Sequence, residues 1–321
     1  MSLAMVFAIQ VIDALIPQIT LFYGFIFAGY LIARLSNVGA VFNKHLNSLI
    51  INFFFPILVF YSFLTSTPTS LIEIPIFLMI AVAIHLLGPV LIHLRLRQSD
   101  IPDKTKGSLF ICSTFNNALF VALPLALMFL GPSAVSFVIM FSLTQMILLV
   151  SVGPLMGATY SGREAGWEKI VRDAVVFPPF LAAVVSLILL GLSIDLPASI
   201  ATILSYDSPV TTYLALVSVG LGIGVRFSLD DVRKALNVVA VRQLVIPLLI
   251  LPVILLSALS QIPKQVLLLE SLMPPAILTA VYAANFDLDV EIASTTVTLG
   301  TLLLLPVIPI LPIILDWTFI A

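Results

Sequence analysis

Two adjacent amides, Asn116 and Asn117, sit inside an apolar run that ends at Pro124, seven residues after the second. Such a run is long enough to belong to a bilayer-spanning segment, where each unsatisfied polar group costs several kcal/mol and must face protein or water. A proline inside a helix removes one backbone hydrogen bond and kinks or breaks it. Amides beside a break offer a place to bind something polar. The competing reading is a kinked helix whose amides fasten it to a neighbour. A second polar group raises the same question. Glu270 stands five residues before Pro275, in another apolar run. A buried carboxyl there is a candidate for protonation, for cation binding or for pairing with a base. Alternatively it lies near the outer end of its segment, six residues after Lys264, and reaches water. His85, Gln145 and Tyr61 complete the polar set. His85 is read first as a hydrogen-bonded packing residue and second as a proton relay. Gln145 must find a partner, expected at the helix break, and Tyr61 either lines a path or forms part of an aromatic face; both join the candidates for substrate binding.

No covalent chemistry on a substrate suggests itself. The chain has no Ser/His/Asp set, no metal-spaced His/Glu pair and no nucleotide loop, so the expectation is not an enzyme, with no metal or cofactor. Gly220-Leu221-Gly222-Ile223-Gly224 lacks the rest of a phosphate-loop motif and is better explained by close helix packing. Asp287-Leu288-Asp289-Val290-Glu291 lacks the remainder of a calcium loop and reads as a turn that opens a helix. Cys112, the single cysteine, excludes an intrachain disulfide. Net charge is −2 with no basic block, so nucleic acid is not an expected partner.

These residues are positioned by membrane helices. Of 321 residues 61% are hydrophobic and only 9% charged, and mean hydropathy is +1.21. Soluble domains carry about 25% charged residues. Continuous apolar runs rather than alternating ones argue against a β-barrel. Ten stretches meet the ~20-residue requirement of a spanning helix: 13–35, 45–65, 71–94, 107–130, 134–158, 174–193, 209–229, 236–260, 264–286 and 292–315. The segments after the odd-numbered spans hold twelve of the 14 basic residues, among them Lys104, Arg163, Lys169, Arg226 and Arg233. Cytoplasmic loops carry this excess, so both termini are expected outside, in a multi-pass protein of the plasma membrane in contact with lipid. Arg242 falls within the eighth span, close enough to its cytoplasmic end to snorkel. The first ten residues lack the basic region of a secretory signal.

Ten spans divide into five and five. At a constant offset of 158, Pro89 meets Pro247, Lys106 meets Lys264, Ser113 meets Ser271, Ala118 meets Ala276 and Pro154 meets Pro312. Five spans per half is odd, so the second half enters from the opposite side, the mark of an inverted repeat and of a secondary transporter. Expected units are 1–158, a cytoplasmic connection 159–173, and 174–321. The offset lays Asn117 on Pro275. Interrupted segments in corresponding positions of two halves point to a binding site, which favours the binding reading of Asn116, Asn117, Pro124, Pro274 and Pro275.

Leu272-Met273-Pro274-Pro275-Ala276-Ile277, Ala283-Ala284-Asn285-Phe286, Glu291–Thr295 and Leu305-Pro306 resemble the auxin efflux carrier family, whose prokaryotic members are often called malate or malonate permeases. Asn117 with Pro124, and Phe55-Pro56 with Phe60, resemble its fourth and second helices. The resemblance implies an all-α fold of ten helices in two inverted five-helix repeats, related to the bile acid symporters and sodium–proton antiporters, with broken helices 4 and 9 crossing. Two spans per repeat would form a scaffold and the rest a moving transport domain. Asn117 would match the family's substrate-binding asparagine. This chain departs at Ala122, where a glycine is usual, lacks the long central loop, and has only His85 where plant members carry an acid in helix three. The expected activity is carriage of a small organic anion, auxin-like or a carboxylate, with a homodimer as the candidate assembly. Alternatives are coupling to Na+ or H+ through Glu270 or His85, and a receptor that binds without transporting.

Overall fold

A computed structural model describes residues 3–36, 39–65, 73–97, 99–162, 172, 176–194, 196–223 and 228–320. Most of the 159–173 connection, with Arg163 and Lys169, lies outside these residues, as do Arg226, Gly224 and an end of each of the expected spans 71–94, 174–193 and 209–229. All regular structure among the described residues is helical. An apolar chain has no other way to satisfy its backbone in hydrocarbon short of a closed barrel. In order the helices are α1 (Leu3–Leu35), α2 (Gly39–Leu49), α3 (Phe55–Thr65), α4 (Glu73–Leu96), α5 (Asp103–Thr114), α6 (Leu123–Phe129), α7 (Val135–Ser161), α8 (Pro178–Gly191), α9 (Ala198–Ser205), α10 (Asp207–Ile223), α11 (Val232–Ala240), α12 (Ile246–Leu256), α13 (Gln261–Ser271), α14 (Leu278–Asn285), α15 (Val290–Leu304) and α16 (Leu311–Ile320). Wide π turns at Ile50–Phe54, Ala118–Ala122 and Val241–Val245 join α2 to α3, lead into α6, and join α11 to α12.

Among the described residues six helical segments are long and apolar enough to cross a bilayer: Ile16–Leu35, Val41–Thr65, Glu73–Leu96, Pro132–Leu149, Val232–Leu256 and Val290–Asp316. The other four expected stretches hold shorter helices. Two are the interrupted pairs α5/α6 and α13/α14, and two are the shorter helices α8 and α10. The protein is thus a multi-pass, all-helical membrane protein.

The helices fall into two packing groups. In the first, α1 lies along α10 and α3 along α8, with α2 and α9 against the same helices. In the second, α5 packs on α4, α7 and α15, α11 on α15, and α12 and α16 on α13. The groups meet where α10 touches the Ala118–Ala122 turn and α6, and where α3 touches α7.

The α1–α10 contact is backbone on backbone. A Cβ added to Gly29 would stand 2.1 Å from the Val217 carbonyl oxygen, and one added to Gly220 would stand 1.9 Å from that of Ile26. The packing reading of the glycine run holds at Gly220. It does not extend to Gly222, whose added Cβ would meet only Asn43 Nδ2 at 3.9 Å. We therefore expect Gly220→Ala to cost about 1–3 kcal/mol through overpacking, read as a lowered Tm in detergent. Gly222→Ala should be neutral or slightly stabilising, because alanine is the better helix former.

Candidate binding site at the crossed helix breaks

Both interrupted segments break at the same point in space. The first leaves helical geometry at Phe115, after α5, and resumes with the π turn at Ala118. The interruption is therefore at the amide pair and not at Pro124, which sits within the first turn of α6. A proline cannot bond to the carbonyl four residues back, here that of Phe120, and the wide turn lies over that stretch. In the second segment α13 ends at Ser271 and α14 begins at Leu278. Pro274-Pro275 supplies no backbone N–H at two successive positions, which removes two helical hydrogen bonds together and favours a break.

The freed backbone groups satisfy one another. Asn116 and Pro275 form an isolated antiparallel bridge. Asn117 N–H donates to the Pro274 carbonyl at 2.8 Å, and Ala276 N–H donates to that of Phe115 at 2.9 Å. Asn117 has φ −85° and ψ 61°, and Ala118 N–H donates to the Asn116 carbonyl at 3.0 Å. This is an inverse γ-turn centred on Asn117. The helical segment 118–129 and α14 both start at the crossing, while α5 and α13 both end there. Two positive and two negative helix ends are brought to one place.

The two amides have different partners. Asn116 is fully buried, and its Nδ2 donates to the Glu270 carbonyl at 2.7 Å and to Glu270 Oε2 at 2.8 Å. Its backbone N–H donates to Gln145 Oε1 at 3.2 Å. His85 Nε2 lies 3.1 Å from that same oxygen, its Nδ1 lies 2.7 Å from the Ala81 carbonyl, and its ring lies against Phe141. Asn117 is 2% exposed, and its Nδ2 has no partner. It lines a cavity of about 40 Å³ together with Ser142, Gln145, Phe177 and Tyr282. Ser142 Oγ is also without a partner.

Asn116, Asn117, Pro274, Pro275, Gln145, Glu270 and His85 thus converge. Tyr61 and Pro124 do not. Tyr61 lines a cavity of about 870 Å³ with Ser62, Glu73, Ser136, Ser208 and Ser260, where the ends of α3, α7, α10 and α13 meet. Pro124 lines a third space, about 290 Å³, between α1, α6 and α10. Two expectations require correction. Glu270 does not reach water, being fully buried. Arg242 does not snorkel. It too is fully buried, with Nη1 donating to the Ile84 carbonyl at 3.4 Å. It occupies the π turn Val241–Val245, whose extra residue per turn alters which way the next side chains face. Ser142 was missed. Its only signal is its place three residues before Gln145, on the same helix face.

At the opposite end from the large cavity, the acidic turn behaves as a cap. Asp289 Oδ1 accepts from Ile292 N–H at the start of α15, its Oδ2 accepts from Thr105, and Lys104 pairs with Asp287 at 2.9 Å. These contacts tie the start of α5 to the end of α14. For the crossing itself, we expect Asn116→Ala to destabilise the protein by about 1–3 kcal/mol, since it strips partners from a buried carboxyl. Asn117→Ala should leave Tm nearly unchanged, because Nδ2 gives up no bond. Thermal unfolding of both variants in detergent checks the contrast.

Residues 14–312 match a family profile described as membrane transport protein. An uncharacterized transporter of Methanothermobacter thermautotrophicus is 28% identical over 291 residues, covering 89% of this chain and 94% of the relative. An uncharacterized transporter of Methanocaldococcus jannaschii is 26% identical, covering 80% and 85%. Auxin efflux carrier component 1 of Arabidopsis thaliana is 27% identical over 143 residues, 44% of this chain and 23% of the relative. With broken helices meeting inside an apolar, multi-pass fold, and with the profile spanning nearly its whole length, the chain belongs to the membrane transport protein family that includes the auxin efflux carriers.

Proposed function

We propose that this protein is a secondary carrier of a small organic anion, auxin-like or another carboxylate, working by alternating access at the crossed breaks. The observation that carries the reading is Asn117. A buried amide donor without a partner stands at the start of helical segment 118–129, where the backbone dipole favours a negative group. An amide N–H together with helix-end N–H groups suits a carboxylate oxygen. Gln145 and Ser142 add polar contacts, and Phe55, Phe120 and Tyr282 offer apolar surface to the rest of the ligand.

Several features support ten spans in two inverted repeats. An offset of 158 maps α1 on α8 and α3 on α10. The two closest-packed pairs, α1 with α10 and α3 with α8, exchange under that mapping. The bridge behaves likewise, since the same offset converts Asn116–Pro275 into Pro274–Asn117, the next pair of the same antiparallel register. In this reading α1–α3 and α8–α10 are the scaffold, and the second packing group is the transport domain that slides along it. On the positive-inside expectation the Lys104–Asp287 end is read as cytoplasmic and the 870 Å³ cavity as the outward vestibule of a plasma-membrane protein.

Uptake and efflux of radiolabelled indole-3-acetate and of malate by proteoliposomes test the proposal. The wild type should carry at least one of them without ATP. Asn117→Ala should weaken that transport by about 10–100-fold in apparent affinity, the worth of one hydrogen bond to a charged group. Unchanged transport in the variant would remove the crossing from the mechanism.

A further inference from the structure

Behind the crossing lie two fully buried charged side chains of opposite sign, Arg242 and Glu270. Each keeps part of its hydrogen-bonding capacity unused. Arg242 donates once, from Nη1, and its Nε and Nη2 have no partner. Glu270 accepts from Asn116 through Oε2, and its Oε1 has no partner. Among the described residues no ion pair joins them directly, yet hydrogen bonds tie their surroundings together: Arg242 holds the Ile84 carbonyl, the next residue His85 reaches Glu270 through Gln145 and Asn116, and Gln243, beside Arg242, donates to the Leu272 carbonyl at 3.4 Å, two residues from Glu270. Their elements are in contact: α12, which continues the π turn carrying Arg242, packs on α13, and α4 packs on both. Guanidinium does not give up its proton in proteins, and a buried charge is stable only when compensated. Orphan donors on one side and an orphan acceptor on the other are satisfied together by a group that both accepts and donates, which is water.

We propose that Arg242 and Glu270 form a water-bridged, charge-neutral pair, and that the guanidinium stands where a coupling cation would otherwise be required. This rests on the carrier reading. It gives that carrier a transport domain that crosses the bilayer without binding sodium or a proton at Glu270. Of the titratable side chains on elements packed against α13, His85 of α4 is buried alongside. Asp316 of α16 and Lys264 of α13 itself belong to the other end of α13, where Gln265 lies beside Asp316 and Lys264 reaches the Leu255 carbonyl. Glu73, at the start of α4, is engaged by Ser260.

Thermal unfolding of the detergent-purified full chain tests the pair without a substrate, in sodium chloride and in choline chloride at equal ionic strength, at neutral and at acidic pH. The wild type should show the same Tm in both salts. Arg242→Met should lose several degrees and regain part of the loss in acid or in sodium, either of which then neutralises Glu270. Arg242→Met combined with Glu270→Gln should recover toward the wild type in every buffer, since removing both charges of a buried pair is far milder than removing one. A sodium-dependent rise in wild-type Tm would overturn the proposal, as would a double variant no more stable than Arg242→Met. If Arg242→Met does not fold, the wild type and the double variant still decide. Because Tm is read without transport, failure here is distinct from failure of the Asn117 transport test.

Discussion

Hydrocarbon offers nothing to an unpaired backbone N–H or carbonyl, and a chain that breaks two of its helices inside the membrane must satisfy the groups it exposes. Here the two breaks satisfy each other. Asn117 N–H meets the Pro274 carbonyl, Ala276 N–H meets that of Phe115, and the inverse γ-turn at Asn117 closes a further bond. One short antiparallel contact therefore fixes where α5, the 118–129 segment, α13 and α14 end. Everything else in the second packing group is arranged around it: α15 and α7 flank it, and Gly300 leaves room for Pro275, whose Cδ would lie 2.9 Å from an added Cβ.

Given that contact, the polar side chains divide by where they can point. Asn116 borders the small cavity too, but spends its Nδ2 on Glu270 and keeps only Oδ1 without a partner, while its backbone joins Gln145 and, through it, His85. Asn117, one residue on, is turned to a cavity with its donor free. Adjacent and identical in chemistry, the two residues differ in what their amide donors meet: that of Asn116 is bonded and that of Asn117 is not. In the other packing group the close α1–α10 contact runs through Gly29 and Gly220.

Much of this was legible in the residues. The apolar runs and their intervening basic residues give an all-helical membrane chain. The offset that lays Asn117 on Pro275 identifies the two segments that meet, and the bridge falls within one residue of that pairing, at Asn116 and Pro275. The direction in which side chains face was not legible. In helices apolar on all sides, periodicity carries no facing information, so Arg242 could not be distinguished from a snorkelling residue, nor Glu270 from a carboxyl at a segment's end. The π turns at Ala118–Ala122 and Val241–Val245 shift the facing of the residues beyond them and leave no composition signal. Proline was a fair guide in the second segment and a displaced one in the first, because Pro124 fits the opening turn of a helix and the amides take the break.

The central claim is that Asn117 meets the ligand at the crossing. The most direct measurement is a thermal-shift panel of carboxylates, from indole-3-acetate to malate and malonate, run in parallel on the wild type and on Asn117→Ala. The account predicts that at least one carboxylate raises the Tm of the wild type and leaves that of Asn117→Ala where it was. An equal shift in both proteins, or none in the wild type with any carboxylate, would contradict it.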